Sequence, residues 1–411
     1  MLILVPDSSY SSGSFQVEKV RAFVSPDSSY GELERLIGEA DASIYVNTYT
    51  ITSHDVANLL EDANLRGIEV ILMLDGSPVG GVSNEEEVIA DRLSKAGSMV
   101  CFYSSNKTRF NHAKYIIADN YSTLITTENL GRTGFPKKNS YGGRGWGIVI
   151  YDRVLSESLA GLFFSDLADC RRRELSEGEH TRNDGGGAYE SRHPAREFIG
   201  TYHLELFTAP EEGIEPILRL LESANESIFV EQAYIYEHWG RKRDDTPETA
   251  PNLFLETVVN AARRGVKVRI LLDSYWYNVL EDDPVSNLRT LEYVNTLARE
   301  ERLDLEAKLI DLDELGLMKL HTKGVIVDEN TVLVSSINWN EHSPTKNREI
   351  GVIIYGELAG YYTEVFECDW EPSSCGSKQS TWIYILGILL IPIAYLVRKR
   401  ALPGENPPEC G

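Results

Sequence analysis

The sequence predicts an α/β protein of two tandem homologous units with mostly parallel central sheets, packed about a pseudo-twofold axis and followed by a C-terminal transmembrane helix. Three observations carry this expectation. A helix–strand passage, "SPDSSYGELERLIGEADASIYVNTYTI" from Ser25, returns as "APEEGIEPILRLLESANESIFVEQAYI" from Ala209. A polar frame, "NHAKYIIADNYSTLITTEN", returns as "LHTKGVIVDENTVLVSSIN". Near the end, the uncharged run "WIYILGILLIPIAYLV" stops directly on Arg398, Lys399 and Arg400. The 411 residues suffice for two cores, and 42% apolar with 25% charged residues describes a globular chain. A net charge of −23 lacks the basic footprint of a duplex-DNA binder, while leaving room for a local basic groove.

Residues 1–19 read as a strand and turn. The five apolar residues before Pro6 are too few for a signal-peptide core. The native start is therefore expected upstream of Met1, the alternative being a tail-anchored chain facing the cytoplasm. The first unit is placed at 20–169 and the second at 201–370. Leu33, Leu36 and Ile37 recur at helical spacing in one, as Ile217, Leu220 and Leu221 do in the other. Each unit continues with a strand and then a helix ended near Gly67 or Gly265, where glycine suits a left-handed cap. Continuous apolar strands follow at 68–74 and 266–272, and such strands between helices indicate a largely parallel sheet covered on both faces.

Between the units, 170–200 is charged, Gly-rich and poor in apolar residues, and reads as an exposed linker. A juxtamembrane linker, 371–380, leads to the transmembrane helix, 381–397, and to a short basic-start tail, 398–411. The run at 382–397 sits at the short edge of the roughly 17 to 25 residues that span a bilayer. Its basic stop and its Trp and Tyr residues favour an anchor over a buried core helix, and the positive-inside rule makes the tail cytoplasmic and the preceding chain extracytoplasmic. Cys101, Cys170, Cys368 and Cys375 precede the anchor and Cys410 follows it, without metal-ligand spacing. An even count outside permits disulfides, with Cys368 and Cys375 closing a small loop; four free thiols are the alternative.

The repeated frame carries the chemistry. His112 and Lys114, like His321 and Lys323, are separated by one residue, which puts both side chains on one face of a strand. Asn129 and Asn338 come after a turn and a second apolar strand, so a hairpin-like return brings the amide beside the His/Lys pair. Thr127 and Ser336, each after another hydroxyl residue, add donors. One imidazole, one ammonium, one amide and hydroxyls per half make a cluster suited to a phosphate group. Two such clusters face to face permit more. One neutral histidine attacks phosphorus while the other donates a proton to the leaving oxygen, and the second then activates water. The lysines and asparagines hold the equatorial oxygens, so the scheme requires no metal or other cofactor. Acid-free stretches around Lys107, Arg109, Lys137, Lys138 and Arg144 suggest a positive mouth that draws in an anionic diester.

Both frames resemble the motif of the phospholipase D superfamily, His-x-Lys-x4-Asp-x6-Gly-Ser-x-Asn, and the likeness extends from Val20 to Trp370. "TSHDVANLLEDANLRGIEVILMLDGSPVGG" and "RTGFPKKNSYGGRGWGIVI" look most like the archaeal membrane-anchored members. The resemblance implies a metal-independent phosphodiesterase working through a phosphohistidine, with His112, Lys114, Asn129, His321, Lys323 and Asn338 as its catalytic set. It makes Asp119 and Asp328 structural, and His112 the nucleophile with His321 as acid and then base. Thr126-Thr127 and Ser335-Ser336 depart from the family's Gly-Ser. Glu349 resembles the carboxylate that orients a histidine, whereas the equivalent place in the first unit is Gly145; Glu231 is the candidate substitute on geometric grounds. Arg109, Trp146 and Trp339 are candidate substrate contacts.

A single chain carrying both motifs needs no obligate dimer. The expected partners are a membrane bilayer and a phospholipid or another anionic phosphodiester. A nuclease acting on single-stranded or damaged nucleic acid is the alternative, and a non-catalytic membrane-tethered phosphate-binding module is the alternative of another class.

Overall fold

Two tight turns decide much of the architecture. Asp119-Asn120 and Asp328-Glu329 adopt positive φ, 54° and 50° in the first pair and 50° and 53° in the second. Consecutive left-handed residues make the hairpin turn whose twist matches its strands, so the strands they join run antiparallel. The computed structural model describes residues 12–137, 139–173, 188–240 and 245–375. The expected span at 381–397 and the tail at 398–411 lie outside them, and among the described residues no helix is long and apolar enough to cross a membrane.

The first half contains β1 (Gly13–Ser25), α1 (Ser29–Glu39), β2 (Ser43–Thr48), α2 (His54–Leu65), β3 (Glu69–Asp75), α3 (Asn84–Ala96) and β4 (Met99–Tyr103). It continues with β5 (Tyr115–Ala118), β6 (Ser122–Thr126), β7 (Gly145–Tyr151), α4 (Arg153–Leu167) and the short β8 (Cys170–Arg171). The second half repeats the series as β9 (Arg196–Ala209), α5 (Glu215–Glu222), β10 (Ser227–Gln232), α6 (Leu253–Arg263), β11 (Lys267–Leu272), α7 (Asn287–Glu301) and β12 (Leu305–Leu309). After α8 (Leu312–Leu315) come β13 (Lys323–Val327), β14 (Thr331–Ser335), α9 (His342–Lys346), β15 (Glu349–Tyr355) and α10 (Ala359–Trp370). Caps set several helix starts: the side chains of Ser53, Ser83, Asp152, Asn252 and Ser286 accept backbone N–H groups of α2, α3, α4, α6 and α7.

All the strands join one sheet in the order β12-β11-β10-β13-β14-β15-β9-β1-β7-β6-β5-β2-β3-β4-β8. The two halves mirror one another across the antiparallel β1–β9 seam, where Val20 faces Phe198 and Ala22 faces Arg196. This corrects the expectation of mostly parallel sheets. Among the described strands only β2–β3, β3–β4, β10–β11 and β11–β12 pair in parallel. Strands buried on both faces read as unbroken apolar runs whichever way they point, and the three-residue turns at 119–121 and 328–330 make β5–β6 and β13–β14 antiparallel.

Three apolar clusters cover the sheet. Helices α1 to α3 lie over one and α5 to α7 over another. The third is shared, with Tyr45, Trp146 and Phe163 from the first half and Phe229, Val332 and Tyr362 from the second. Cys101 is bonded to Cys170, and Cys368 to Cys375. The stretch read as an exposed linker is partly internal: Tyr189 is buried and donates to Asp27 at 3.0 Å, and β9 starts at Arg196. A tyrosine ring with a buried acceptor outweighs the polarity of its neighbours.

Candidate functional site

Each hairpin turn fixes one His/Lys frame. The Asp119 carboxylate turns away from the frame and accepts the N–H groups of Asp41, Ala42 and Ser43, all at 2.8 Å. Asp328 does the same for Asn225, Glu226 and Ser227. At the far end of each hairpin, Lys114 donates to the carbonyl of His112, and Lys323 to that of His321 at 2.6 Å. Both lysines are buried, which removes water from the ammonium and lowers its proton affinity. Burial pushes Lys114 down to about 7 and Lys323 well below its ordinary value, and the nearby Lys114 charge lowers Lys323 further.

Thr126 and Ser335 hold the next turn, their hydroxyls accepting from Glu128 N at 3.1 Å and Ile337 N at 3.3 Å. Thr127 and Ser336 then bond across to β7 and β15, through Trp146 N and Ile350 N. The departures from Gly-Ser thus keep the same backbone connections in both halves. Asn129 and Asn338 come two residues later, and each has a buried side-chain oxygen without a protein partner.

The halves meet at the histidines. His112 N donates to Arg348 O and Arg348 N to Phe110 O, both at 2.8 Å. In the mirror position His321 N donates to Arg144 O and Arg144 N to Lys319 O, again at 2.8 Å. The two arginines lock this arrangement. Arg144 pairs with Asp27 of its own half at 2.6 Å and with Asp369 of the other at 2.7 Å. Arg348 pairs with Glu211 at 2.6 Å and with Asp166 of the first half at 3.1 Å.

This stitching delivers Glu349 to the histidine of the opposite half. Its carboxylate lies 2.9 and 3.1 Å from His112 Nδ1. It also accepts from Ser336 Oγ and Ser343 Oγ, both at 2.5 Å, and from Asn347 at 3.1 Å. Burial alone would raise this carboxyl, but His112, Lys114 and Ser336 hold it below its usual value. With Nδ1 engaged, Nε2 is the nitrogen of His112 left for chemistry.

His321 has a matching carboxylate that sequence reasoning missed. Glu128 Oε2 lies 3.3 Å from His321 Nδ1. Gly145, the counterpart of Glu349, leaves the space: a Cβ there would stand 2.4 Å from Glu128 Cγ and 2.7 Å from its Oε1. The acid therefore reaches nearly the same place from the neighbouring strand end. Its signal was a charged residue in "TTEN" where the other frame has Ile337. Glu128 is poorly solvated, with Oε1 unpartnered, and burial raises its pKa. Burial also lowers both histidines, His321 more so because Lys323, Lys319, Lys114 and His112 surround it. Glu349 of the second half on His112 of the first, and Glu128 of the first beside His321 of the second, bring the two frames together.

A second pair of acids went unnoticed. Asp75, at the end of β3, accepts from Asn111 N at 2.5 Å, immediately before His112. Asp273, just after β11, accepts from Leu320 N at 2.7 Å, immediately before His321. Each sets the approach of a histidine-bearing segment.

Several expected contacts are elsewhere. Glu231 is buried and senses Asp369 and Arg144 rather than a histidine; its strand position turns it into the shared core. Trp146 and Trp339 have no exposed surface and pack on Tyr362 and Phe254, so their bulk fills cores instead of meeting substrate. Arg109 is exposed, with its guanidinium over Phe110. The positive mouth is reduced, because Arg144 is sunk in its ion pairs and Lys137 pairs with Asp55 at 2.7 Å. Lys138 lies outside the described residues. Among the described residues no cluster of three or more His, Cys, Asp or Glu has metal-binding geometry.

Known proteins share this pattern. The family model described as "Cardiolipin synthase, PLD-like domain" matches residues 33–166 and 217–370, more than half of the chain. Cardiolipin synthase 2 of Staphylococcus epidermidis is 24% identical over 345 residues, 80% of this chain and 63% of that protein. Cardiolipin synthase B of Escherichia coli is 22% identical over 359 residues, covering 82% and 76%. The 5'-3' exonuclease PLD3 of Rattus norvegicus is 28% identical over 173 residues, 40% of this chain. The chain thus spans about a third of the rat protein and under two thirds of the staphylococcal one. The phosphatidylserine synthase of Haemophilus influenzae has the same fold, with a TM-score of 0.60 and 13% identity over 87% of each chain. With both halves matched by that model, the chain belongs to the phospholipase D superfamily.

Proposed function

We propose that the protein is a membrane-anchored, metal-independent phosphodiesterase that hydrolyses a phospholipid through a phosphohistidine on His112. One observation carries the mechanism: a buried carboxylate stands at Nδ1 of each histidine, Glu349 hydrogen-bonded to His112 at 2.9 Å and Glu128 3.3 Å from His321, whose Nδ1 makes no hydrogen bond. The engaged Nδ1 leaves Nε2 of His112 for the substrate, and Glu128 stands within reach of Nδ1 of His321 to orient that ring in the same sense.

His112 Nε2 attacks phosphorus, and His321 gives its proton to the departing alkoxide as the P–O bond breaks. Ionised Glu349, with its additional donors, stabilises the positive charge on the phosphorylated ring. His321, now neutral, takes a proton from water; the water oxygen bonds to phosphorus and the N–P bond breaks. Burial lowers the proton affinity of Lys114 and Lys323, and an anionic diester beside them restores it. Asn129 and Asn338 supply further donors to its oxygens. Burial lowers both histidines, and the charge of a bound diester restores the protonated form that His321 needs.

Phospholipid is favoured by the likeness to two cardiolipin synthases over about four fifths of the chain. An extracytoplasmic site is supported by the two disulfides and by the apolar run at 382–397. The similarity to the rat exonuclease favours a second reading, a nuclease on single-stranded nucleic acid. The test is turnover of labelled phosphatidylcholine and of a single-stranded oligonucleotide, with and without chelator, by the wild type and by His112→Asn. Chelator-resistant release of a headgroup, lost in the variant, is the expected outcome. Cleavage of the oligonucleotide alone would replace the lipid reading, and phosphate binding without turnover would leave only a tethered binding module.

A further inference from the structure

The loops after β3 and β11 follow equivalent strands in the two halves, and each is tied by hydrogen bonds to groups that hold one histidine: Val79 through Tyr49, and Asn278 through Asp273. In the first half, Val79 N donates to the hydroxyl of Tyr49 at 2.6 Å, and the Tyr49 ring meets the His112 ring edge-on at 4.9 Å. In the second, Asn278 donates to Asp273 at 2.8 Å, the acid that also holds Leu320 before His321. Both loop tips turn apolar surface outward. Val79 is 80% exposed, Trp276 64% and Leu280 45%, with Tyr277 beside them. Beneath Trp276 lies a cavity of about 530 Å³ lined also by Tyr141, Leu312, Leu317 and Met318.

We propose that these two tips form the surface on which the protein docks to a zwitterionic phospholipid layer, an inference that rests on the lipid reading above. Chemistry selects the occupant. Trp and Tyr suit the boundary between water and hydrocarbon, having an apolar body and a polar atom. An apolar patch of this kind otherwise invites aggregation. Its surroundings are acidic: Glu281, Asp282 and Asp283 continue the loop, and Asp311 and Asp313 line the cavity. Such a rim repels a nucleic-acid strand or an anionic bilayer, and tolerates a headgroup layer without net charge. Because each loop is tied to groups beside one histidine, lipid held against the tips would present its phosphodiester to the site.

The experiment uses the full chain reconstituted with phosphatidylcholine vesicles whose acyl chains carry bromine. The emission of Trp276 is isolated as the difference between the wild type and Trp276→Phe. Quenching of that emission by the brominated chains is expected, and its absence overturns the docking surface. In parallel, Leu280→Asp and Val79→Asp are compared with the wild type on vesicle phosphatidylcholine and on the soluble diester bis(p-nitrophenyl) phosphate. The vesicle-to-soluble turnover ratio should fall at least tenfold while circular dichroism stays unchanged, and an unaltered ratio sinks the inference. If the wild type turns over neither lipid nor soluble diester, the proposed function fails, and quenching still decides the surface. Selective loss of oligonucleotide cleavage in the variants would reassign the tips to nucleic acid.

Discussion

The two halves place the same groups around one site but build them differently. In the second half, Glu349 stands on a strand and holds its carboxylate amid four donors. In the first, the strand position is Gly145, and Glu128 reaches into the vacant space with an unpartnered oxygen. A single repeat unit has thus been specialised twice: one carboxylate kept firmly ionised behind His112, the other held with a raised pKa behind His321. The difference suits a nucleophile that must bear positive charge through an intermediate, and an acid–base group that must pass a proton both ways.

The sharpest way to break this comparison is to remove each ring in turn. His112→Asn and His321→Asn should each lower phospholipid turnover by about 10⁴-fold, as loss of one member of a catalytic constellation does elsewhere. They should part company on bis(p-nitrophenyl) phosphate, whose leaving group needs no proton. There His321→Asn should still give one burst of p-nitrophenol and an acid-labile phosphoenzyme, and His112→Asn neither. A burst from the wrong variant would invert the assignment.

Next in size is the carboxylate contrast. Glu349→Gln should cost about 10²–10⁴-fold in kcat/KM, within the range of general acid–base effects, and Glu128→Gln the lower end of that range. The pair Glu128→Ile with Gly145→Glu would rebuild the second half's arrangement inside the first. It should recover activity relative to Glu128→Ile alone; failure to recover would mean that the strand position cannot serve His321. Gly145→Ala by itself, with Glu128 in place, should lower stability by roughly 1–3 kcal/mol through overpacking, read as a drop in Tm.

The arginine locks should rank by burial. Arg144, Asp27 and Asp369 are all inaccessible, whereas Glu211 beside Arg348 is half exposed. Asp369→Asn should therefore cost about 3–5 kcal/mol, as breaking a buried pair does, and Glu211→Gln about 1 kcal/mol or less. Equal losses in urea unfolding would contradict this ranking.

The smallest effect concerns pH. Lys114 is pushed down to about 7 from an ordinary 10.5. Between those values the unfolded chain binds more protons than the folded one, so stability rises with pH across that window. Lys114→Met should flatten the rise and increase Tm at pH 7 while losing activity, a stability–activity trade-off.

What the sequence disclosed follows from the same asymmetry. His112, Lys114, Asn129 and their partners at His321, Lys323 and Asn338 were legible because each recurs at fixed spacing. Glu128 was not, because it breaks the repeat, facing Ile337 in the other frame, and only the third dimension shows it filling the place left by Gly145. Asp75 and Asp273 recur too, yet each ends an apolar strand, where an acid looks like ordinary punctuation. Trp146 and Trp339 were misjudged for proximity in sequence: Trp146 lies on β7 and Trp339 in the connection after β14, and both rings are fully buried against core aromatics. The sheet's mixed sense was hidden by burial on both sides.

The backbone bridges at Arg144 and Arg348 have a consequence for how molecules come and go. A clamshell enzyme opens by swinging rigid lobes about a hinge, but here the lobes share a continuous sheet on one side and are sewn together beside both imidazoles on the other. Arrival of a diester and departure of its fragments then do not depend on the lobes swinging apart.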